Sequence, residues 1–218
     1  MFCINNIMIS FIIPAYNEEK YIERTLKNIP NNFEKIVVCN GCTDQTYNLA
    51  KKYAKVINIS EKNVSKARNL GARIASNDFF CFLDADTRLT RNAFNNLLKL
   101  VDKNVVGTFR VRFNSDTISS KIHNTIKNIL PLFKIHNASG VIFCHKDIFN
   151  KVKGFNENIV KGENGDFIKR AKKYGKFYFS RHYSITSARR FEKLGYVKTF
   201  LFWLKEYLIG NKEYPVIR

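Results

Sequence analysis

The chain alternates short apolar runs with longer stretches in which apolar residues recur every three or four positions. In the first hundred residues, the apolar runs predict strands over residues 10–13, 35–39, 56–59 and 79–83. The periodic stretches predict helices with one apolar face over residues 18–29, 44–54, 64–75 and 91–101. Continuous apolar strands that alternate with helices are typical of a mostly parallel sheet flanked by helices. We therefore expect an α/β fold with right-handed connections.

The second half of the chain has a less regular pattern. Strands are predicted over residues 104–114 and 141–145, and helices over residues 116–130 and 163–174. The linkers are short and no internal repeat is present, so we expect one domain over residues 1–195. Residues 196–218 follow as an amphipathic tail, whose apolar residues exceed one helical stripe. Such a segment favours a position at an anionic membrane surface, although its stripe can also pack on the core.

Polar turns follow three of the predicted strands. They read PAYNEE at residues 14–19, CNGCTD at residues 39–44 and DADT at residues 84–87. The carboxyl ends of parallel strands share one edge of a sheet, and ligands of such sheets bind beyond that edge. We therefore expect the three turns to meet at one rim.

The DADT turn places two carboxylates close together. Asp84 and Asp86 are two positions apart, so on an extended chain they share a side. Their mutual repulsion favours a hard divalent ion, Mg²⁺ or Mn²⁺, which keeps waters and binds phosphate oxygens. A helix cap is the alternative interpretation of the same pattern.

The PAYNEE turn and the start of the third helix contain further candidates. Asn17 is predicted to cap the first helix, and Tyr16 at the rim is placed to stack on a nucleobase. Lys66 and Arg68 either face solvent or, if their helix starts at the same rim, contact a nucleotide or its phosphates.

The CNGCTD turn carries a Cys-x-x-Cys pair, Cys39 and Cys42. A dithiol oxidoreductase is therefore a rival function. The chain contains more strand-helix units than a small redox domain needs, and the two aspartates would then have no role. A second pair of ligands at zinc-binding spacing is missing from the sequence.

Composition limits the class of protein. The 218 residues are 45% hydrophobic, which suffices for a sizeable core, and no apolar run reaches the roughly 18 residues that span a bilayer. The first residues lack the basic start and cleavage site of a signal peptide, and the odd number of five cysteines does not indicate a disulfide framework. We expect a cytoplasmic protein, peripheral at the membrane if the tail binds there.

The net charge is the compositional outlier. Lys and Arg number 37 against 18 Asp and Glu, so the net charge is +19. Nucleic acid, anionic membranes and phosphate-bearing substrates all suit such a charge. No zinc-finger spacing, aromatic RNA-binding consensus or basic heptad region is present, so we expect no nucleic-acid partner.

Taken together, four segments resemble the inverting family 2 glycosyltransferases, over roughly residues 9–195. The resemblance rests on ISFIIPAYNEEKYIERTL, VVCNGCTDQT, KARNLGARIASNDFFCFLDADT and GFNENIVKGENGDFIKRAKKYG. It implies a GT-A type, Rossmann-like fold and transfer of a sugar from a nucleotide-diphosphate donor. The acceptor, whether lipid-linked, phosphate-bearing or a saccharide, is left open.

The resemblance also implies roles for individual residues. The nucleoside pocket would be lined by Pro14, Tyr16, Glu18 and Asn40. Arg68 would contact the nucleotide, Asp84 the ribose or the metal, and Asp86 the metal and diphosphate. Relatives usually have acidic residues where this chain has Cys39 and Asn40, which leaves the donor base open.

The acceptor side departs further from the family. Relatives usually have Glu-Asp where this chain has Glu163-Asn164, and an asparagine cannot act as a general base. Glu163 or Asp166 is then the candidate base, and a phosphate acceptor would need none. Arg189 and Arg190 would clamp the leaving diphosphate or an acceptor phosphate. A second rival follows from Asn164: a protein that binds nucleotide without catalysis.

Overall fold

The computed structural model describes residues 9–101, 104–129, 138, 140–159 and 161–195. The predicted tail therefore lies outside the described residues. The first part of the chain forms β1 (Ile9–Ala15), α1 (Ile22–Asn28), β2 (Glu34–Asn40), α2 (Thr46–Ala50), β3 (Lys55–Ile59), α3 (Val64–Ile74), β4 (Phe79–Leu83), β5 (Thr87–Leu89) and α4 (Arg91–Leu98). The second part forms β6 (Val105–Phe113), α5 (Ile118–Ile129), β7 (Val141–His145), α6 (Lys146–Lys151), α7 (Glu163–Ala171), β8 (Lys176–Thr186) and α8 (Arg189–Leu194).

The described strands form one sheet in the order β3-β2-β1-β4-β7-β6-β8-β5. The first four strands of that order, β3, β2, β1 and β4, are parallel to one another. β7 is antiparallel to both β4 and β6, and β5 is antiparallel to β8, whereas β6 and β8 are parallel. The predicted mostly parallel sheet is thus confirmed, with two reversed strands on its second half.

Four short or polar elements were not predicted, namely β5, α6, β8 and α8. β8 is the clearest case, because its fully or largely buried positions include the polar residues Ser180, Ser184 and Thr186. A register shift in its pairing with β6, between Phe109 and Arg110, interrupts the alternation further. Since the buried face of this strand is partly polar, its hydrophobic pattern does not identify it.

Helices cover both faces of the sheet, and each face has its own core. Phe79, Cys81 and Leu83 of β4 point into one core, while Phe80 and Phe82 point into the other. No helix among the described residues is long and apolar enough to cross a membrane.

The close packing of α3 on β1 depends on a glycine. A Cβ added at Gly71 would lie 2.4 Å from Cγ2 of Ile12, which is fully buried. Because only a glycine allows this approach, α3 packs closely on the middle of β1. Arg68 lies three residues before Gly71 in α3, and its guanidinium reaches Asp84, directly after β4.

Candidate active site

The three polar turns meet at the carboxyl edge of the sheet, as predicted. In the strand register, Ala15 at the end of β1 lies opposite Cys39, and Ile12 lies opposite Phe82 of β4. The residues that follow these strands are therefore neighbours. Asp84, directly after β4, donates its backbone N–H to the carbonyl of Gly140 at 2.8 Å.

Asn17 joins the first two turns and does not cap α1. Its φ is 53°, a left-handed conformation, and its Oδ1 accepts a hydrogen bond from the Thr43 N–H at 2.8 Å. The N-cap position of α1 is Tyr21, which makes no side-chain capping bond. The predicted capping role of Asn17 is therefore wrong, because its amide is used by the neighbouring turn.

Further hydrogen bonds hold these two turns together. The Glu19 N–H donates to Asp44 at 3.2 Å, and the Gln45 N–H donates to Oε2 of Glu19 at 3.1 Å. The Glu18 N–H also donates to the Thr46 hydroxyl at 2.7 Å. The two glutamates are thus fixed in position by the second turn rather than by a helix end.

The cysteine pair belongs to the same junction. Cys39 is fully buried, and the thiol of Cys42 donates to the carbonyl of Ala15 at 3.3 Å. Both are free thiols. A hydrogen bond from the Cys39 thiol lowers the pKa of Cys42, while the same bond, together with burial, raises the pKa of Cys39. The Cys42 thiol therefore ties its turn to the end of β1.

One cluster of polar side chains surrounds Arg68; we call Arg68, Asp84, Glu163 and Asn164 the Arg68 cluster. The Arg68 Nη2 donates to Asp84 at 2.9 Å, and its Nη1 donates to Glu163 at 3.1 Å and to Asn164 at 2.9 Å. The guanidinium also stacks on the ring of Phe155 at 5.1 Å. This cluster joins three parts of the chain, α3, the end of β4 and the start of α7.

Burial makes the charge of Arg68 depend on its partners. Only 4% of its side chain is exposed. Burial acts to lower the pKa of Arg68, but the nearby carboxylates of Asp84 and Glu163 outweigh it and raise the pKa overall. A buried cation without such partners would be strongly destabilising.

The two candidate bases lie in different surroundings. Glu163 is in the Arg68 cluster, where its Oε1 accepts the hydrogen bond from Arg68. Asp166 instead forms an ion pair with Arg170 of the same helix at 2.7 Å, and Arg170 also donates to the carbonyls of Val152 and Gly154. The structure therefore brings Glu163, but not Asp166, to Asp84.

A second cluster, the Arg189 cluster, consists of Arg189, Glu18, Asp86 and Tyr21. The Arg189 Nη2 forms an ion pair with Glu18 and lies 3.2 Å from Oδ2 of Asp86. The guanidinium stacks 4.6 Å above the Tyr21 ring. Glu18 was predicted to line the nucleoside pocket, and its carboxylate lies beside Asp86.

Asp86 is a largely buried carboxylate whose pKa is raised. Its side chain is only 16% exposed, and its pKa is raised to about 6, mainly by burial. Within that net value, Arg189 and the hydroxyl of Thr186 act to lower the pKa, whereas Glu18 and Asp84 act to raise it. The negative charges are thus only partly balanced by Arg189.

The remaining predicted residues lie around these clusters. Pro14 and Asn40 are buried at the ends of β1 and β2, and the Lys62 ammonium lies 5.0 Å from the Tyr16 ring. Lys66 forms an exposed ion pair with Glu61 at 2.6 Å. Arg190 is in α8, but its side chain lies outside the described part of the structure.

Sequence reasoning missed three contributors to the site. Tyr21 and Phe155 supply the rings on which the two arginines stack, and Thr186 donates to Asp86 at 3.3 Å. Tyr21 is one residue before α1 and Thr186 directly precedes the Ser-Ala-Arg-Arg segment, so adjacency to predicted residues was the only available signal. Within the described residues, no group of three or more His, Cys, Asp or Glu side chains could hold a metal ion.

Comparison with known proteins identifies related sequences and structures. The sequence model of the family described as Glycosyl transferase family 2 matches residues 10–195. The chain is 28% identical over 198 residues to the minor teichoic acid biosynthesis protein GgaB of Bacillus subtilis. This alignment covers 76% of the present chain and 21% of GgaB. It is 28% identical over 107 residues to the poly(ribitol-phosphate) beta-N-acetylglucosaminyltransferase TarS of Staphylococcus aureus, covering 43% of this chain and 19% of TarS.

Solved structures confirm the expected GT-A type fold. S. aureus TarS 1–349 in complex with UDP has a TM-score of 0.64 at 20% identity, covering 86% of this chain and 63% of that one. The mannosyltransferase PcManGT of Pyrobaculum calidifontis, in complex with GDP-Man and Mn²⁺, has a TM-score of 0.68 at 18% identity. The match covers 95% of this chain and 65% of that one. The chain spans about a fifth of the length of GgaB and TarS.

The raised pKa of Asp86 predicts a stability that depends on pH. Since the folded pKa is about 6 and the ordinary value is 3.8, ionisation of Asp86 costs the folded state up to about 3 kcal/mol. This cost is absent below about pH 4, grows as the pH rises and is complete above about pH 6. We therefore expect Asp86→Asn to be more stable than wild type at pH 8 by about 1–3 kcal/mol, with the gain lost at pH 4. Urea unfolding at pH 4 and pH 8 measures the difference in free energy of unfolding between the two proteins. A difference that does not change with pH would contradict the raised pKa of Asp86.

Proposed function

The chain belongs to glycosyl transferase family 2, and on that premise we propose that it transfers a sugar from a nucleoside diphosphate sugar to an acceptor. The observation that carries the proposal is the pair of arginine-carboxylate clusters at the carboxyl rim. Asp84 and Asp86 bring the two clusters side by side, directly after a central strand. Such a rim is where open α/β sheets bind their ligands.

We propose that the donor lies across the first three turns. Its nucleoside would contact Pro14, Tyr16, Glu18 and Asn40, with the nucleotide near Arg68 and the ribose near Asp84. The interlocked turns at Asn17 and Asp44 support this pocket, because a preformed site loses less conformational entropy on binding. TarS and PcManGT were solved with UDP and GDP-Man respectively, so uridine and guanosine donors are the ones to test.

The site residues fit a Mg²⁺ or Mn²⁺ ion that arrives with the donor. A buried carboxylate whose pKa is raised to about 6, next to two further carboxylates, favours an additional cation. Mg²⁺ commonly uses only one or two protein carboxylates together with substrate phosphates, and Asp86 with Asp84 would supply them. Such an ion stabilises the charge that develops on a departing diphosphate. Arg189, and Arg190 with it, would assist at the diphosphate or at an acceptor phosphate.

We propose that Glu163 activates the acceptor. As the acceptor oxygen attacks the sugar carbon, its proton passes to Oε2 of Glu163, and the bond from that carbon to the diphosphate breaks with inversion. Within the described residues, one oxygen of each candidate base is bonded: Oε1 of Glu163 accepts from Arg68, and Oδ2 of Asp166 accepts from Arg170. Glu163 is favoured because Arg68 also binds Asp84, which we propose to lie at the donor, whereas Arg170 also binds the carbonyls of Val152 and Gly154. An acceptor phosphate, already anionic, would attack without this step.

The two rival functions have less support. The Cys42 thiol is hydrogen-bonded to Ala15 within the junction of two turns, which is a structural role. A nucleotide-binding protein without catalysis is favoured only by Asn164, and Glu163 remains next to it. We propose a lipid-linked, phosphate-bearing or saccharide acceptor. We propose that residues 1–195 form the transferase domain and that the protein works in the cytoplasm at the membrane.

The donor site can be tested by thermal shift with uridine and guanosine diphosphate sugars, with and without Mn²⁺. Wild type should be stabilised by one donor in a metal-dependent way, and Asp86→Ala should lose that shift together with at least about 100-fold in turnover. The Cys39→Ser/Cys42→Ser double variant serves as a control that should keep turnover within about tenfold. Stabilisation by no donor would contradict the proposal, and loss of all activity in the cysteine variant would favour the redox function.

The base can be identified by two matched substitutions. Glu163→Gln should lower kcat by about 100-fold or more and leave the donor shift in place, because the amide cannot accept the proton. Asp166→Asn, on the same helix, should change kcat by less than about tenfold, since it removes only the bond to Arg170. Single-turnover kinetics measure both. The opposite order of effects would assign the base to Asp166, and two unchanged variants would favour a phosphate acceptor.

The tail is proposed to bind an anionic membrane surface. Its sequence, VKTFLFWLKEYLI over residues 197–209, has apolar residues beyond one stripe and lysines among them. Exchange of Leu201, Trp203 and Leu204 for glutamine should therefore reduce recovery with floated anionic vesicles. Equal recovery of this variant and wild type would refute membrane binding by the tail.

A further inference from the structure

The helix α5 turns an apolar stripe toward solvent. The exposed fractions of Ile118, Ile122 and Ile129 are 77%, 57% and 42%, which makes them three of the five large hydrophobic residues classed as exposed in the described structure. At 100° per residue, their positions fall within about 40° of one another around the helix axis. A surface helix usually turns its apolar stripe toward the core, so this orientation is reversed.

The opposite face of α5 is firmly attached, so the outward stripe is not a result of a detached helix. Asn128 accepts a hydrogen bond from the Val111 N–H and donates to the Val111 carbonyl, both at 2.8 Å. Asn124 accepts from the Phe113 N–H at 3.0 Å. Ser120 is fully buried on this side of the helix. These bonds pair α5 with the end of β6 and fix which face points outward.

The charges around the stripe are positive. Lys121 is exposed beside the three isoleucines, and α5 contains no acidic residue. Over the described residues 105–129 there are four basic residues and one acidic residue, Asp116. Together with the net charge of +19, this stripe is complementary to an apolar surface with a negative charge. Two copies of such a patch would repel each other, which disfavours a symmetric dimer through α5.

The helix α5 also adjoins the candidate site. On its inner side, the ring of His123 lies 4.4 Å from that of Phe191 and 5.7 Å from that of Phe113. Phe191 is two residues after Arg189, in the same short helix α8. The packing of α5 on α8 therefore connects the exposed stripe to the Arg189 side of the rim.

We propose that α5 docks on an anionic lipid surface, with Ile118, Ile122 and Ile129 inserted at the headgroup boundary and Lys121 at the phosphates. This surface consists of residues other than those of the tail, and its proposal does not rest on the transferase activity. If the transferase activity holds, the docking places the Arg189 side of the site next to the bilayer, where a lipid-anchored acceptor would enter.

Vesicle flotation of the full chain tests the proposal. The probe vesicles contain phosphatidylcholine alone or with about one third phosphatidylglycerol. Wild type should float with the anionic vesicles, and less so in about 0.5 M NaCl, which screens the charges. Ile118→Gln/Ile122→Gln/Ile129→Gln should weaken partitioning by about tenfold or more, because three exposed apolar side chains are removed. Tyr174→Gln, which changes an exposed aromatic residue three positions after α7, is the matched control and should float like wild type.

The outcomes separate the alternatives. Circular dichroism melting of the triple variant checks that it folds, and because its substitutions lie on the exposed face, its midpoint should match that of wild type. Combination with the tail substitutions shows whether the two surfaces act independently. Equal flotation of the triple variant and wild type, in the presence of an altered tail, would overturn the proposal. A concentration-dependent dimer in solution that the triple variant abolishes would also overturn it and assign the stripe to a second copy. Flotation needs no donor, so its result does not depend on the transferase activity.

Discussion

The buried guanidinium of Arg68 is the constraint on which the site depends. A cation with 4% of its side chain exposed must be compensated by charged partners, and here they are Asp84 and Glu163. These partners come from the end of a central strand and from the start of α7, 95 residues further along the chain than Arg68. Compensation of one charge therefore holds the end of β4 and the start of α7 together at the rim. The flat ring of Phe155 completes the enclosure without adding a charge.

The hydrogen bonds around Arg68 also explain why an asparagine fits at position 164. Its Oδ1 accepts from Arg68 at 2.9 Å, while its Nδ2 donates to the carbonyl of Ala138 at 3.2 Å. A carboxylate at this position would accept from Arg68 but could not donate to Ala138 unless protonated. The amide thus serves both partners and leaves two carboxylates, not three, around one guanidinium. The departure from the usual Glu-Asp pair has a local structural explanation that leaves Glu163 in place.

The Arg189 cluster shows the opposite balance. Glu18 and Asp86 share the guanidinium of Arg189. The pKa of Asp86 is raised to about 6, mainly by burial, and Arg189 offsets only part of this rise because Glu18 and Asp84 act against it. The ionised form of Asp86 therefore lowers the stability of the folded protein. Such perturbed ionisable groups are common at binding and catalytic sites. The same helix that carries Arg189 packs through Phe191 on α5, and α5 exposes its isoleucines. The charged Arg189 cluster at the rim and the exposed isoleucines of α5 are therefore connected through the packing of α5 on α8.

The periodic pattern predicted the first four strands, their helices and the meeting of three turns at one rim, because buried strands and amphipathic helices must repeat apolar residues at set intervals. Asp84, Asp86 and Arg68 were found as candidates because they follow a predicted strand or begin a predicted helix, whereas Glu163 and Arg189 were found through the resemblance to family 2 glycosyltransferases. The sequence did not determine that β8 buries serine and threonine, that Asn17 bonds to Thr43, or that Asp166 turns to Arg170 while Glu163 turns to Arg68. Each outcome depends on which polar group lies within hydrogen-bonding distance in the folded chain, and that group is often tens of residues away in the sequence. Only the tertiary structure decides that, since a local pattern sets which side of an element a side chain occupies but not what is packed against it.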